Sequence, residues 1–280
     1  MKQRSLLAAN LACEKCHQAL RWLARRQCSD GYSWKCINKN CASSWVSLRK
    51  GSFFEKSHIS LKKWLHVSYL WCAETSEKQA AQLTGISERT IVDVYNYFCE
   101  VCSVYFRTSP VLLGGPGHYV HVDESYFSPK IKCHRGRAPD HEIWVFGIVD
   151  TSTTPAVGYM EVVPDRSIET LLPIIRRVVR PGSTVHSDSW AAYNNMQPAL
   201  NFSHEGDNHT DPNFRFVSPT SSQTQHIESY WNKCKAHIKM KRGVLRDLLP
   251  IYLREFMWRD RFGKEAFNTL LLHIAEQFPV

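Results

Sequence analysis

The sequence predicts an α/β domain flanked by smaller modules, and three observations point there. The first is a succession of strand-like runs, Tyr119 to Phe127, Glu142 to Thr151 and Ala156 to Val163, followed by the helical segment SIETLLPIIRRVV and another short strand, TVHSDSW. The second is a pair of cysteine knuckles near the N-terminus. The third is a length of 280 residues, enough for one core domain of about 150 residues plus smaller modules. Read together, these give a metal ribbon at 1–59, a helical module at 60–108, the α/β domain at 109–243 and two C-terminal helices at 244–280.

Composition narrows the class. A formal charge of +9 and a pI near 9.0 favour a polyanionic partner, nucleic acid first, because Lys and Arg that neutralise phosphates release counterions. Mild basicity is common among soluble proteins, so the charge needs support from motifs. No apolar run approaches the roughly 18 residues of a membrane span, and MKQRSLLAANLACEK has too short an apolar core for a signal peptide. The expectation is therefore a chain with no membrane partner, working in a reducing compartment: the nucleus of a eukaryote, otherwise the cytoplasm. Ten cysteines there argue for metal ligation and packing rather than a disulfide framework.

In the first module, Cys13-x-x-Cys16 and Cys36-x₄-Cys41 read as two knuckles of a zinc ribbon. Four thiolates can close a tetrahedral site around one structural Zn²⁺, and a module this small gains folding stability from the metal. Cys28 and His17 are alternative ligands. Arg21, Arg25, Arg26, Lys35, Lys39, Arg49 and Lys50 are interleaved with Trp22, Trp34 and Trp45, which suits contact with a nucleic-acid backbone or a solvated surface over a small core.

The second module begins with an amphipathic helix, Ser60 to Ala73. SEKQAAQLTGISERTIVDVYNYFCEVC then has the helix, glycine turn, helix pattern of a helix-turn-helix, with Gly85 in the turn and Ser87 as N-cap. Ile91, Val94, Tyr95 and Phe98 share the core face. Arg89 and Thr90, with Asp93 and Asn96, fall on the outer face, whose first turn is where a recognition helix meets base edges. A helical hairpin without DNA has the same pattern. Cys99 and Cys102 lie inside the second helix and read as packing.

The α/β domain opens on YVHVDESYF. Alternation along a strand sends Val120 and Val122 to one face and His121 and Asp123 to the other. TVHSDSW repeats the His-x-Asp pattern and supplies Asp188. In HIESYWNKCKAHIKMKR, Glu228 and Lys235 are seven residues apart, about two helical turns, and so share a face; Ile227, Trp231, Cys234 and Ile238 form the apolar stripe that docks the helix on the sheet. Two aspartates on strands and a glutamate on a helix, spaced by 65 and 40 residues, suit two divalent cations; oxygen ligands favour Mg²⁺ or Mn²⁺, which assist phosphodiester chemistry. Taken singly, each acid could be a cap or turn former.

CEKC…CINKNC, SLRKGSFFEKS, GISERTIVDVYNYF, GGPGHYVHVDESYF, HRGR, IWVFGIVD, VPDRSIETLLPIIRRVVRPGSTVHSDSWAAY and QTQHIESYWNKCK together resemble a DDE transposase of the Merlin superfamily, related to bacterial insertion-sequence transposases with an N-terminal zinc ribbon. The resemblance covers most of residues 13 to 242. It implies an RNase H-like fold, catalytic and Mg²⁺-binding carboxylates at Asp123, Asp188 and Glu228, and a catalytic basic residue at Lys235. One departure is Gln223, where relatives tend to carry His; glutamine does not titrate, which puts a proton-transfer role there in question. The implied function is cut-and-paste transposition: binding of terminal inverted repeats, metal-dependent hydrolysis at the element ends, and joining of the 3′-hydroxyl ends to target DNA. Holding two ends together implies a homodimer or higher homo-oligomer. A domesticated, catalytically silent DNA-binding regulator is the alternative.

Around the acids, Lys130, Lys132, Arg135 and Arg137 crowd the loop after the first strand and are expected to grip DNA phosphates, and Lys239 and Arg242 extend the Glu228 face into a basic track. Lys235 would orient a phosphate or the nucleophile. His121 and His186 read as structural residues or as donors orienting the carboxylates. Asp150, Asp165 and Glu124 are spare acids. The tail helices could cover the sheet or form a subunit contact.

Overall fold

The computed structural model describes residues 1–41, 45–127, 143–188, 203–207, 224–241 and 246–280, with backbone alone at 188, 203–207, 224 and 246. The described elements are β1 (Arg21–Ala24), β2 (Tyr32–Lys35), α1 (Leu61–Cys72), α2 (Glu77–Thr84), α3 (Glu88–Thr108), β3 (Tyr119–Tyr126), β4 (Trp144–Asp150), β5 (Val157–Val163), α4 (Ile168–Val178), β6 (Thr184–Asp188), β7 (Ser203–Asp207), α5 (Thr224–Met240), α6 (Leu249–Phe262) and α7 (Ala266–Gln277). The chain forms two compact units, residues 1–105 with 262–280, and residues 106–261.

In the first unit, β1 and β2 form an antiparallel hairpin whose turn contains Asp30 and Gly31. Asp30 ties this hairpin to the helices. Its carboxylate accepts from Arg49 Nε at 2.6 Å and Nη2 at 2.8 Å, and from the backbone N–H of Leu61 at 3.1 Å, at the start of α1. Burial alone would raise its pKa, but the Arg49 guanidinium and the Leu61 amide outweigh burial and hold the carboxyl below its ordinary range.

The helices start where their capping residues stand. Ser60, Ser76 and Ser87 accept from the backbone N–H three residues on, in Lys63, Gln79 and Thr90. Gly85 ends α2 at φ 63°, a left-handed conformation that glycine adopts without a Cβ penalty. Ile91, Val94, Tyr95, Phe98, Cys99 and Cys102 are buried on α3, as their spacing predicts. The 244–280 stretch divides between the units: α7 belongs to the first, where Leu270, Leu271 and Ile274 are buried and His273 stacks on Tyr105 at 4.4 Å.

The second unit is built on a five-stranded sheet in the order β5-β4-β3-β6-β7. β3, β4 and β5 pair antiparallel; β3, β6 and β7 pair parallel. This mixed sheet fits an RNase H-like core. On one face Val120, Val122, Phe146, Ile148 and Val185 pack against Leu171, Ile174, Ile175 and Val178 of α4. On the other, Val145, Val149 and Met160 pack against Ile227, Tyr230, Trp231 and Cys234 of α5 and Leu253, Phe256 and Met257 of α6. Burial on both faces explains why β4 reads as a continuous apolar run. Strand β7, Ser-His-Glu-Gly-Asp, lacks any apolar signature and was not legible in the sequence.

Candidate active site

Asp123 sits near the middle of β3, half-buried, on the face that receives α5. Its Oδ1 accepts from the backbone N–H of Glu124 at 2.8 Å, and its Oδ2 accepts from the indole Nε1–H of Trp231 at 2.9 Å. One turn further along α5, Lys235 Nζ donates to Ser125 Oγ at 2.6 Å. Four helical residues rise about 6 Å and two strand residues about 6.6 Å. The two contacts therefore keep step, and α5 runs along β3 in the same direction.

Two glycines let the helix lie this close. Gly147, directly opposite Asp123 in the ladder, has no Cβ; one added there would stand 2.6 Å from Cζ2 of Trp231. At Gly158 on β5 a Cβ would stand 2.4 Å from the ring of Tyr230. Trp231 and Tyr230 of α5 thus each lie over a glycine of the sheet, a pairing that spacing within either segment cannot show.

Asp188 ends β6. The parallel register pairs Tyr119 with Thr184, Val120 with Val185 and His121 with His186, a constant offset that carries position 123 to position 188. The ladder ends at His121 and His186; carried two residues further, the same offset would set position 188 beside Asp123, on one face by parity. Glu228 lies on α5 three residues before Trp231, its side chain exposed. Lys239 is exposed near the helix C-terminus. Lys130, Lys132, Arg135, Arg137, Gln223 and Arg242 lie outside the described residues.

His121 and His186 are buried, with rings stacked at 5.2 Å; the His226 ring, on the first turn of α5, lies 6.3 Å from that of His121. Asp150 holds a turn, accepting from the N–H of Gly114 at 2.6 Å and of Ser152 at 2.9 Å. Asp165 forms a turn just before α4, accepting from the N–H and hydroxyl of Ser167 and the hydroxyl of Thr170. Two spare acids thus have turn roles.

The far end of α5 is clamped by a buried charge cluster. Glu255 of α6, fully buried, accepts from Arg259 Nε at 2.8 Å and pairs with Lys241 Nζ at 2.8 Å, with His237 Nε2 at 3.6 Å. Burial pushes its pKa up, but the neighbouring His237 and the charges of Arg259 and Lys241 prevail and hold it well below the ordinary carboxylate range. The sequence offered no sign of this cluster, because a glutamate within an amphipathic helix reads as surface.

In the first unit the Sγ atoms of Cys13, Cys16, Cys36 and Cys41 all lie within 4.8 Å of one another, with Cys13–Cys41 at 3.7 Å and Cys16–Cys36 at 3.5 Å. A tetrahedral site with Zn–S near 2.3 Å has sulfur–sulfur edges of about 3.8 Å, so the donor set fits. Burial and the neighbouring thiols push Cys41 up to about 12, while the backbone N–H of Gln18 pulls Cys16 down. Crowding that opposes a further thiolate is what a bound cation relieves. Cys28 instead donates to the carbonyls of Arg25 and Tyr32, each at 3.1 Å, and His17 is exposed outside the cluster; neither alternative ligand joins it.

On α3, Arg89 is exposed and forms an i,i+4 pair with Asp93 at 3.8 Å. The Thr90 hydroxyl lies 2.7 Å from Ser87 Oγ at the helix start.

A mixed five-stranded sheet of this order, with a helix packed along β3 and β4, fits the RNase H-like class of nucleic-acid-processing enzymes. Residues 112–260, just over half of the chain, match the ISXO2-like transposase domain, and the chain belongs to that family. An uncharacterized transposase-like protein of Haemophilus influenzae is 33% identical over 101 residues, covering 36% of this chain and 78% of that protein. An uncharacterized protein in transposable element ISH50 of Halobacterium salinarum is 24% identical over 250 residues, covering 79% of this chain and 78% of its own. Among solved structures, a chain of the simian T-cell lymphotropic virus intasome in complex with PP2A regulatory subunit B56 gamma aligns with a TM-score of 0.36 and 16% identity, over 69% of this chain and 67% of that one. Among the described residues, no helix is long and apolar enough to cross a membrane.

Proposed function

We propose that this chain is a cut-and-paste DNA transposase, resembling the Merlin superfamily in motif order, that cleaves transposon ends and joins their 3′-hydroxyls to target DNA. The observation that carries the reading is the parallel β3–β6 register, which pairs His121 with His186 two residues before the two aspartates, together with the Glu228 helix fastened to Asp123 through Trp231. Asp123, Asp188 and Glu228 would hold two Mg²⁺ or Mn²⁺ ions, which supply activation of the attacking oxygen and neutralisation of charge on the leaving oxygen. Lys235, tethered to Ser125 beside Asp123, positions a phosphate or the attacking group. Lys130, Lys132, Arg135, Arg137, Lys239 and Arg242 hold the DNA backbone.

The four cysteines hold one structural Zn²⁺, and the helix-turn-helix formed by α2 and α3 presents Arg89 and Thr90 to terminal inverted repeats. Two ends held together require a homodimer or higher homo-oligomer. A strand-transfer assay with pre-cleaved ends and Mg²⁺ tests the reading. Joining that needs Asp188 supports it; cleavage without joining identifies a nuclease, and end binding without either identifies a silent regulator.

A further inference from the structure

We propose that Trp231 is a positioning residue for the metal-binding carboxylate: its indole N–H sets the orientation in which Asp123 meets divalent cations. The inference rests on the reading of Asp123 as a Mg²⁺ ligand. An aspartate on a strand can rotate about its two side-chain torsions, and a ligand held in one orientation loses less entropy when a cation binds.

Here each carboxylate oxygen has a donor, Glu124 N–H on Oδ1 and Trp231 Nε1–H on Oδ2. The backbone donor is set by the strand itself. The indole is set by packing: Trp231 is 4% exposed, and its six-membered ring lies over Gly147, the residue facing Asp123 across the β3–β4 ladder. The same helix carries Glu228 one turn earlier, so the bond that orients one ligand also fixes the height on the sheet at which the other is presented.

The decisive experiment removes the N–H and keeps the ring. The benzothiophene analogue of tryptophan placed at position 231 is expected to raise the Mg²⁺ concentration for half-maximal cleavage by about 10-fold to 100-fold, with the rate at saturating metal far less affected. Mn²⁺ binding, followed by paramagnetic resonance without DNA, is expected to weaken by a similar factor, with the melting temperature of the unit unchanged.

A genetic pair supports the test. Gly147→Ala pushes the indole off the sheet and should raise the metal requirement; adding Trp231→Phe relieves the clash and restores stability but not metal affinity. Restored affinity in that double variant would show that Trp231 merely packs, and would overturn the proposal. So would wild-type Mn²⁺ binding and metal dependence in the analogue while Asp123→Asn is inactive, with the transposase reading left standing. Full cleavage by Asp123→Asn would instead remove the transposase reading together with the inference.

Discussion

The cysteine cluster and the carboxylate set are both candidate metal sites, but they are built on opposite plans. The cysteines come from two knuckles within 29 residues, converge to within 4.8 Å and leave no open position, as a structural site should. The carboxylates come from segments spread over more than a hundred residues and include an exposed glutamate, as the proposed DNA-cleaving site requires. A closed site can be specified by local spacing, whereas an open one depends on the register of a sheet and the docking of a helix.

The sharpest way to break this comparison is to remove one ligand from each site. Asp123→Asn, Asp188→Asn or Glu228→Gln is expected to lower cleavage by on the order of 10³-fold or more, with zinc content and end binding unchanged by metal analysis and gel shift. Cys13→Ser should do the reverse: zinc is lost, the ribbon forfeits about 10 kcal/mol of metal-coupled folding and is cut by protease, while the α/β unit keeps its melting transition.

The frame beneath the open site comes next. Glu255→Gln leaves Arg259 and Lys241 buried around a neutral group and should destabilise the α/β unit by about 3–5 kcal/mol in thermal melts. The folded pKa of Glu255 is depressed, so its contribution is fully present above the unfolded carboxylate value of about 4.3 and is lost as pH falls below it. The variant should lack that acid-sensitive component. Smaller effects belong to α3: Arg89→Ala is expected to weaken end binding by about 1–3 kcal/mol in gel shifts. Ser87→Ala, which removes a cap, should cost about 1 kcal/mol of stability without altering DNA preference.

Much of this was legible in the sequence because it is local. Ser60, Ser87 and Gly85 mark helix boundaries by their own hydrogen bonds and φ angle, and Ile227, Trp231 and Cys234 announce a docking face by their spacing. What escaped reading depends on partners far away. Asp30 looks like a turn residue and is one, yet it also anchors α1 through Leu61. Trp231 looks like core and is core, yet its N–H reaches Asp123, a contact spanning 108 residues. Gly147 and Gly158 look like weak points in strands until the rings of α5 fill the space above them.

By itself, the order of residues determined where most helices and the apolar strands β3 to β6 begin, which faces are apolar, and which cysteines and acids are available, because these follow from backbone sterics and periodicity over a few residues. Only the tertiary structure decided that β3 and β6 pair with His121 beside His186, that α5 lies close enough for an indole to donate to a carboxylate, and that Glu255 gathers His237, Lys241 and Arg259 at the end of that helix. Those facts are set by sheet register and close packing, which couple residues that sequence distance keeps apart.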